Sequence, residues 1–531
     1  MRFPGKFPRC IGFGTSAVLG ISVATGLMSC RPDPSESAKS PTSPAAPQTP
    51  AEGSKPFEPG EFAGAQAVLV FTGDVHGYLE PCGCAENQAG GFARRADLFE
   101  QIREDWKVPV AGFDIGGALD SDRVSYHQSK IKLEMMLRGL DEMGYSGSAL
   151  GREELQLGAQ ELYQQHINLA AVDGFDVPFL ASNVVLYGTP DIGTPVQTRV
   201  IEVGPVKVGV AAVIGKSTRQ KLQDAGSLRD ATELDVQDPS AVIPGMLAKL
   251  KEESPDVLVL LSQSEIDESL ELAREYPEFN VVVTSGGPEN PPIEPAYVDD
   301  TLIVQVGKKG KYAALVGVMP EKKLEWQVVE LDKYHFANHP SMNQLMQDYQ
   351  DRLKENWSTL TEHTVPDPGG VAFAGVESCK ECHTFAYNVW SKSYHAHAYE
   401  SLIEGREGLE DTWVSRIYDP ECLACHSTGW DPQRAIRHTS GFVDLETTPG
   451  LKGQQCENCH GPGAQHVEFE RALKEMGGQP SEETVAARQD LQLTLTAAKN
   501  NVCIRCHDLD NSPNFDFDTY YQKIKHSGRK D

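Results

Sequence analysis

From residue 65 onward the chain alternates two hydrophobic rhythms. Ala67 to Phe71, Val108 to Phe113, Val206 to Val213, Val257 to Leu261 and Asn280 to Thr284 are short apolar runs rich in β-branched residues. This is the pattern of strands buried on both faces. Gly91 to Arg103 has a helical period instead. So does Asp238 to Lys251, where Asp238 suits the N-cap and Pro239 the first helical position. Pro244 is expected to kink that helix or delay its start. Alternating strands and helices over 65–333 predict an α/β layered domain. Ser341 to Trp357 then places Met342, Leu345, Tyr349, Leu353 and Trp357 on one helical stripe, with Ser341 and Gln344 as a capping-box pair. It predicts a connecting helix within 334–365, closed by the breaker stretch "VPDPGGVAFAG".

The first 64 residues carry no such pattern. Arg2, Lys6 and Arg9 precede a mildly apolar stretch from Ile11 to Met28, too rich in Gly, Ser and Thr for a membrane helix. Residues 1–30 read as a targeting segment, so export is expected. Leu27-Met28-Ser29-Cys30 resembles the bacterial lipobox. That implies a lipid on Cys30 and a membrane anchor, with a plain signal peptide as the alternative. Residues 31–64 are rich in Pro, Ser, Ala and Thr and read as a disordered tether.

Charge narrows the partners. The chain holds 76 Asp and Glu against 48 Lys and Arg. Nucleic-acid binding through a basic face is excluded by that balance. It suits redox partners with basic docking surfaces, or simply solubility.

The last third carries the chemistry. Cys379-Lys380-Glu381-Cys382-His383, Cys422-Leu423-Ala424-Cys425-His426, Cys456-Glu457-Asn458-Cys459-His460 and Cys503-Ile504-Arg505-Cys506-His507 are four C-x-x-C-H strings. In each, two thiols can add to the vinyl groups of a haem while the adjacent imidazole reaches the iron. C-x-x-C pairs also bind zinc, but zinc does not call for a histidine directly after the second cysteine. Four covalent haems c are therefore expected in a mainly α, haem-cored segment over 366–531. Helical and strand periods fade there because haems replace side chains as the core. Export agrees, since haem attachment in bacteria takes place outside the cytoplasm. Of the 12 cysteines, Cys10 and Cys30 belong to the targeting segment and eight to the strings, which leaves Cys82 and Cys84.

Two resemblances add to this. "VFTGDVHGYLEPC" with "GGFARRADLFEQI", and later "VPFLASNVVL", "VGPVKVGVAAV" and "IVQVGKKGKYAALVGV", resemble the 5′-nucleotidase branch of the calcineurin-like metallophosphoesterases. The resemblance implies a four-layer α/β sandwich over 65–333. It places Asp74 and His76 at the family's D-x-H metal ligands. At the other ligand positions this chain has Gly117, Arg152 with Glu153, Leu261-Ser262-Gln263-Ser264, and Ser285-Gly286-Gly287-Pro288. A two-metal hydrolase needs bridging and flanking ligands, so an inactive site is expected. Asp74, His76, Cys82 and Cys84 remain as a candidate rebuilt site for a divalent metal. A redox dithiol or an unremarkable cysteine pair at Cys82 and Cys84 are the alternatives.

"SCKECH", "WSKSYHAHAYESL", "CLACHSTGW", "CENCHGPG" and "CIRCH" resemble the tetrahaem cytochrome c-554 family, in order and over all four strings. The resemblance implies electron transfer and three distal ligands. His466 would complete the haem of His383, His395 that of His460, and His526 that of His507. The haem of His426 would be five-coordinate, with His397 and His438 as spare ligands, or as solvent-exposed or propionate-bonding residues. An electron carrier is the first expectation. A 5′-nucleotidase-type hydrolase with a haem appendage, or a haem enzyme acting on a small nitrogen compound at His426, are the alternatives.

Overall fold

The computed structural model describes residues 56–81, 88–119, 124–190, 192–405 and 413–526. The targeting segment, Cys30, most of the tether, and Cys82 with Cys84 lie outside them. No helix among the described residues is long and apolar enough to cross a membrane.

Two six-stranded sheets form the N-terminal half. The first runs Leu324–Glu330, Tyr312–Val318, Ala67–Thr72, Val110–Asp114, Tyr145–Ala149, Phe179–Leu180. The second runs Ala296–Val298, Thr301–Gln305, Val281–Thr284, Val257–Gln263, Val206–Ile214, Thr198–Val203. Central neighbours are parallel, and outer pairs such as Ala67–Thr72 with Tyr312–Val318 are antiparallel. The two-residue side-chain period sends Leu69, Phe71 and Phe113 toward Val210, Val259 and Val283 of the other sheet. Val68 and Val70 point the other way, into a layer that includes Phe99 and Leu137 of the helices Phe92–Glu100 and Tyr126–Met143. Pro239–Glu252 and Ile266–Glu275 cover the second sheet through Ile243, Leu250 and Leu272. The result is a helix–sheet–sheet–helix α/β sandwich.

Three local expectations need correction. The helix Pro239–Glu252 starts on time, with Asp238 accepting Ser240 N at 3.0 Å, and runs straight through Pro244. Pro244 is exposed, so the Ser240 carbonyl it leaves unbonded stays near solvent. The helix Ser341–Glu355 has Pro340 as its N-cap, with no side-chain cap. Ser341 Oγ instead meets His339 Nδ1 at 2.8 Å, and Gln344 donates to Asp348. The end of the expected tether, from 56, is packed rather than free. Phe62 is buried, Phe57 N donates to Gln101 Oε1 at 2.8 Å, and Trp106 Nε1 donates to Phe57 O at 3.0 Å.

The C-terminal part is a series of short helices and turns with one small three-stranded sheet, Thr364–Val365, Ile436–His438, Trp430–Asp431. One apolar cluster joins it to the first half. Leu423, Ala424, Trp430 and Phe442 belong to the same cluster as Met342, Tyr349, Leu353 and Trp357 of the predicted stripe.

Candidate functional site

Asp74 and His76 follow the strand Ala67–Thr72, both with left-handed φ of 45° and 51°. Such strain in non-glycine residues persists where the surroundings impose it. Asp74 Oδ1 lies 3.4 Å from Gln263 Nε2, and burial raises its carboxyl well above the usual range. Gly117 packs against it so closely that a Cβ there would lie 2.4 Å from Asp74 Oδ1. Glu154 is buried beside Gly117. It accepts from Gly151 N at 2.7 Å, Ala118 N at 2.8 Å, Gly117 N at 3.0 Å and Leu119 N at 3.3 Å. Burial, with Glu153 beside it, still pushes its carboxyl up to about 7. Glu153 is paired to Arg152. Glu154 is thus engaged with backbone amides and Glu153 with a cation. Among the described residues no group of three or more His, Cys, Asp and Glu side chains could hold a metal ion. Asp74 and His76 alone do not fit a two-metal centre. The sulfur half of the candidate rebuilt site lies outside the described residues.

The haem strings are better provided for. Cys379 lies on the helix Val376–Lys380, Cys422 to His426 on Pro420–His426, Cys456 to His460 on Cys456–His460, and Cys503 on the 3₁₀ turn Cys503–Arg505. Glu457, inside the third string, braces the first. It accepts from Ala374 N and Gly375 N, each at 2.8 Å, and from Gly463 N at 2.7 Å. The strings also meet through their thiols. Cys379 and Cys456, Cys506 and Cys425, and Cys459 and Cys503 are close enough to influence one another electrostatically.

Three histidine pairs face each other. The ring centroids of His383 and His466 are 6.3 Å apart, those of His395 and His507 6.1 Å, and those of His460 and His526 5.9 Å. Two metal–imidazole bonds of about 2 Å, plus about 1 Å from each nitrogen to its ring centre, span ~6 Å. Each pair therefore fits one iron between its rings. The outer nitrogens are consistent with this. His460 Nδ1 lies 2.8 Å from Leu491 O, and His426 Nδ1 lies 2.6 Å from Ala398 O. A carbonyl only accepts, so Nδ1 carries the proton and Nε2 is the ligating nitrogen. His507 Nδ1 meets Ser512 Oγ at 2.9 Å. Burial holds His395 down to about 4 and lowers His460, His466 and His507. Burial thus favours the neutral ring, the form that binds metal.

One of the three expected pairings matches, His466 with His383. The other two are exchanged: His395 stands opposite His507 and His526 opposite His460. The cause is local. His395 O accepts Gln454 N at 3.2 Å, and Gln454 Nε2 lies 3.5 Å from Cys506 Sγ, which pins the turn Tyr394–His397 beside the fourth string. Phe515 stacks on His507 at 4.5 Å, and the helix Phe517–Ile524 then carries the chain onward. At about 1.5 Å per residue that helix spans ~12 Å, enough to take His526 to a different string. His397 is exposed, and His438 Nδ1 lies 3.0 Å from Pro366 O with its ring against Phe373.

The two halves meet at the second and fourth strings. Asp419 N-caps the helix Pro420–His426 through Glu421 N at 3.0 Å. The same carboxylate accepts Gln128 Nε2 at 3.0 Å and Gln350 Nε2 at 3.1 Å, from the helices Tyr126–Met143 and Ser341–Glu355. Lys132 pairs with Glu421. Arg416 Nη2 donates to Glu80 Oε2 at 2.7 Å. Beside the fourth string, Asp510 accepts from Tyr78 Oη at 3.2 Å, pairs with Lys309, and takes Gln88 Nε2 on its carbonyl at 2.6 Å. Sequence reasoning missed this contact set. Its only legible sign was the Asp-Pro-Glu start of the second haem helix, a capping signal that names no partner.

Residues 378–461 match the model of the family described as cytochrome c554 and c-prime. Cytochrome c-554 of Nitrosomonas europaea is 31% identical over 97 residues, 17% of this chain and 39% of that protein. Multiheme cytochrome MtrA of Shewanella baltica is 29% identical over 130 residues, 24% of this chain and 34% of that protein. The chain thus spans well under half the length of either curated relative. The 5′-nucleotidase precursor of Thermus thermophilus has a TM-score of 0.44 and 20% identity, with coverage of 57% of this chain and 61% of that one. The chain joins a C-terminal part similar to cytochrome c554 to an N-terminal half similar to 5′-nucleotidases. The cytochrome match implies haem c as cofactor.

Proposed function

We propose that this chain is an exported, lipid-anchored, four-haem c-type cytochrome that carries electrons between redox partner proteins with basic docking surfaces. The observation that carries the proposal is the set of three facing imidazole pairs, each joining a C-x-x-C-H histidine to a second histidine about one iron's width away. Haem supplies one-electron chemistry when bound. The protein's part is to hold and orient. Carbonyls fix the tautomers of His426 and His460, and paired imidazoles keep three irons closed to substrate and at low potential relative to Met/His ligation.

The phosphoesterase-like half serves as scaffold rather than hydrolase in this reading. Gly117 offers no side chain as a bridging ligand, and Glu154 is held by the backbone amides of Gly117 and Gly151. Reduced full-length protein should be reoxidised by a basic one-haem cytochrome. The same preparation with manganese and 5′-nucleotides should release no phosphate. Clear nucleotide turnover without electron transfer would overturn the proposal.

A further inference from the structure

We infer that Lys132, on the phosphoesterase-like half, is a positioning residue that sets the reduction potential of the haem held by Cys422 and Cys425. This goes beyond the electron-carrier reading and rests on it only for the presence of that haem.

Lys132 lies on the helix Tyr126–Met143 and is 3% exposed. Its ammonium pairs with Glu421, the residue directly before Cys422. Gln128, fully buried one turn earlier, donates to Asp419 Oδ1 at 3.0 Å, and its Nε2 lies 3.2 Å from Glu421 Oε2 and 3.0 Å from Tyr349 Oη. Gln350 holds the other oxygen of Asp419. Asp419 in turn caps the haem helix through Glu421 N. The start of that helix therefore rests on two carboxylates whose positions the other half of the molecule dictates. Arg416, also buried, is the second cation at this junction and is tied to Glu80.

The physical consequence follows from burial. A charge in a low-dielectric region acts on a nearby redox centre far more strongly than one in water. Oxidation adds a positive charge to the haem, so a neighbouring cation disfavours it and a neighbouring carboxylate favours it. Lys132 and Glu421 oppose each other. Removing the lysine makes the charge beside the haem more negative, and removing the Glu421 carboxylate makes it more positive.

The test is a potentiometric titration of the full-length, haem-loaded protein and its variants. K132M should lower one midpoint potential and leave the other three in place. E421Q should raise that same midpoint. The K132M/E421Q double variant should return it toward the wild-type value, and K132R should leave it there. A packing role alone would shift the singles in one direction and add in the double. Shifts of equal sign, or no shift in either single variant, overturn the inference. If K132M does not accumulate haem, E421Q against K132R still gives the sign, and an unmoved E421Q midpoint then counts against it. A wild-type protein with fewer than four haems would instead contradict the electron-carrier reading.

Discussion

At the scale of single residues, the histidines do different work according to what holds their outer nitrogen. His460 and His426 have a carbonyl there, which fixes the proton and aims Nε2 inward. Among the described residues His466 has no hydrogen-bond partner on Nδ1, which is buried 4.0 Å from Glu470 Oε1. Its place is set by the helix Ala464–Met476 and by the His383 ring opposite. His466→Ala should therefore keep all four haems by mass but convert one low-spin ferric signal to high-spin in the electron paramagnetic resonance spectrum. Four unchanged low-spin signals would contradict the pairing. Glu154 gives a pH prediction. Its carboxyl is held at about 7 against an ordinary 4.5, so the folded state binds its proton more tightly than the unfolded chain. The stability from that proton is fully present below about pH 4.5 and is lost as pH rises through about 7. The unfolding free energy of the wild type, relative to Glu154→Gln, should fall across this window and level off above it. A pH-independent difference would refute the account.

At the scale of elements, the helix Pro420–His426 is the joint of the molecule. It is seven residues long, too short to be stable alone, so its cap and neighbours decide whether it forms. Asp419→Ala removes the cap, worth about 0.5–2 kcal/mol. It also strands hydrogen-bonding groups of Gln128 and Gln350, at about 1–3 kcal/mol for a buried unsatisfied group. A loss of about 2–4 kcal/mol is expected in denaturant unfolding of the haem-loaded protein. A loss under about 1 kcal/mol would show that the junction holds nothing in place. The elements themselves were largely legible. Hydrophobic runs foretold the central strands to within two residues, and the Met342–Trp357 stripe foretold a buried helix face. Pro244 was read too strictly, because a proline on an exposed face can leave its stranded carbonyl to water. The ligand pairings of His395 and His526 were not legible, since they depend on how far one short helix carries the chain between two strings. The Lys132–Glu421 contact was not legible either. Its partners are 289 positions apart, and nothing local marks them.

At the scale of the whole molecule, an enzyme-like scaffold and a series of haem strings share one hydrophobic cluster. The contacts between them gather at the second and fourth haem strings, not along the sandwich as a whole. A net charge of -28 argues against nucleic-acid binding through a basic face. The central claim is that the C-x-x-C-H strings and their facing imidazoles make this chain a multihaem electron carrier. The most direct measurement is a redox titration of the full-length protein followed by electron paramagnetic resonance. The account predicts four one-electron steps per chain, with at least three low-spin bis-histidine signals that disappear on reduction. Fewer than four haem irons per chain, or fewer than three such signals, would contradict it.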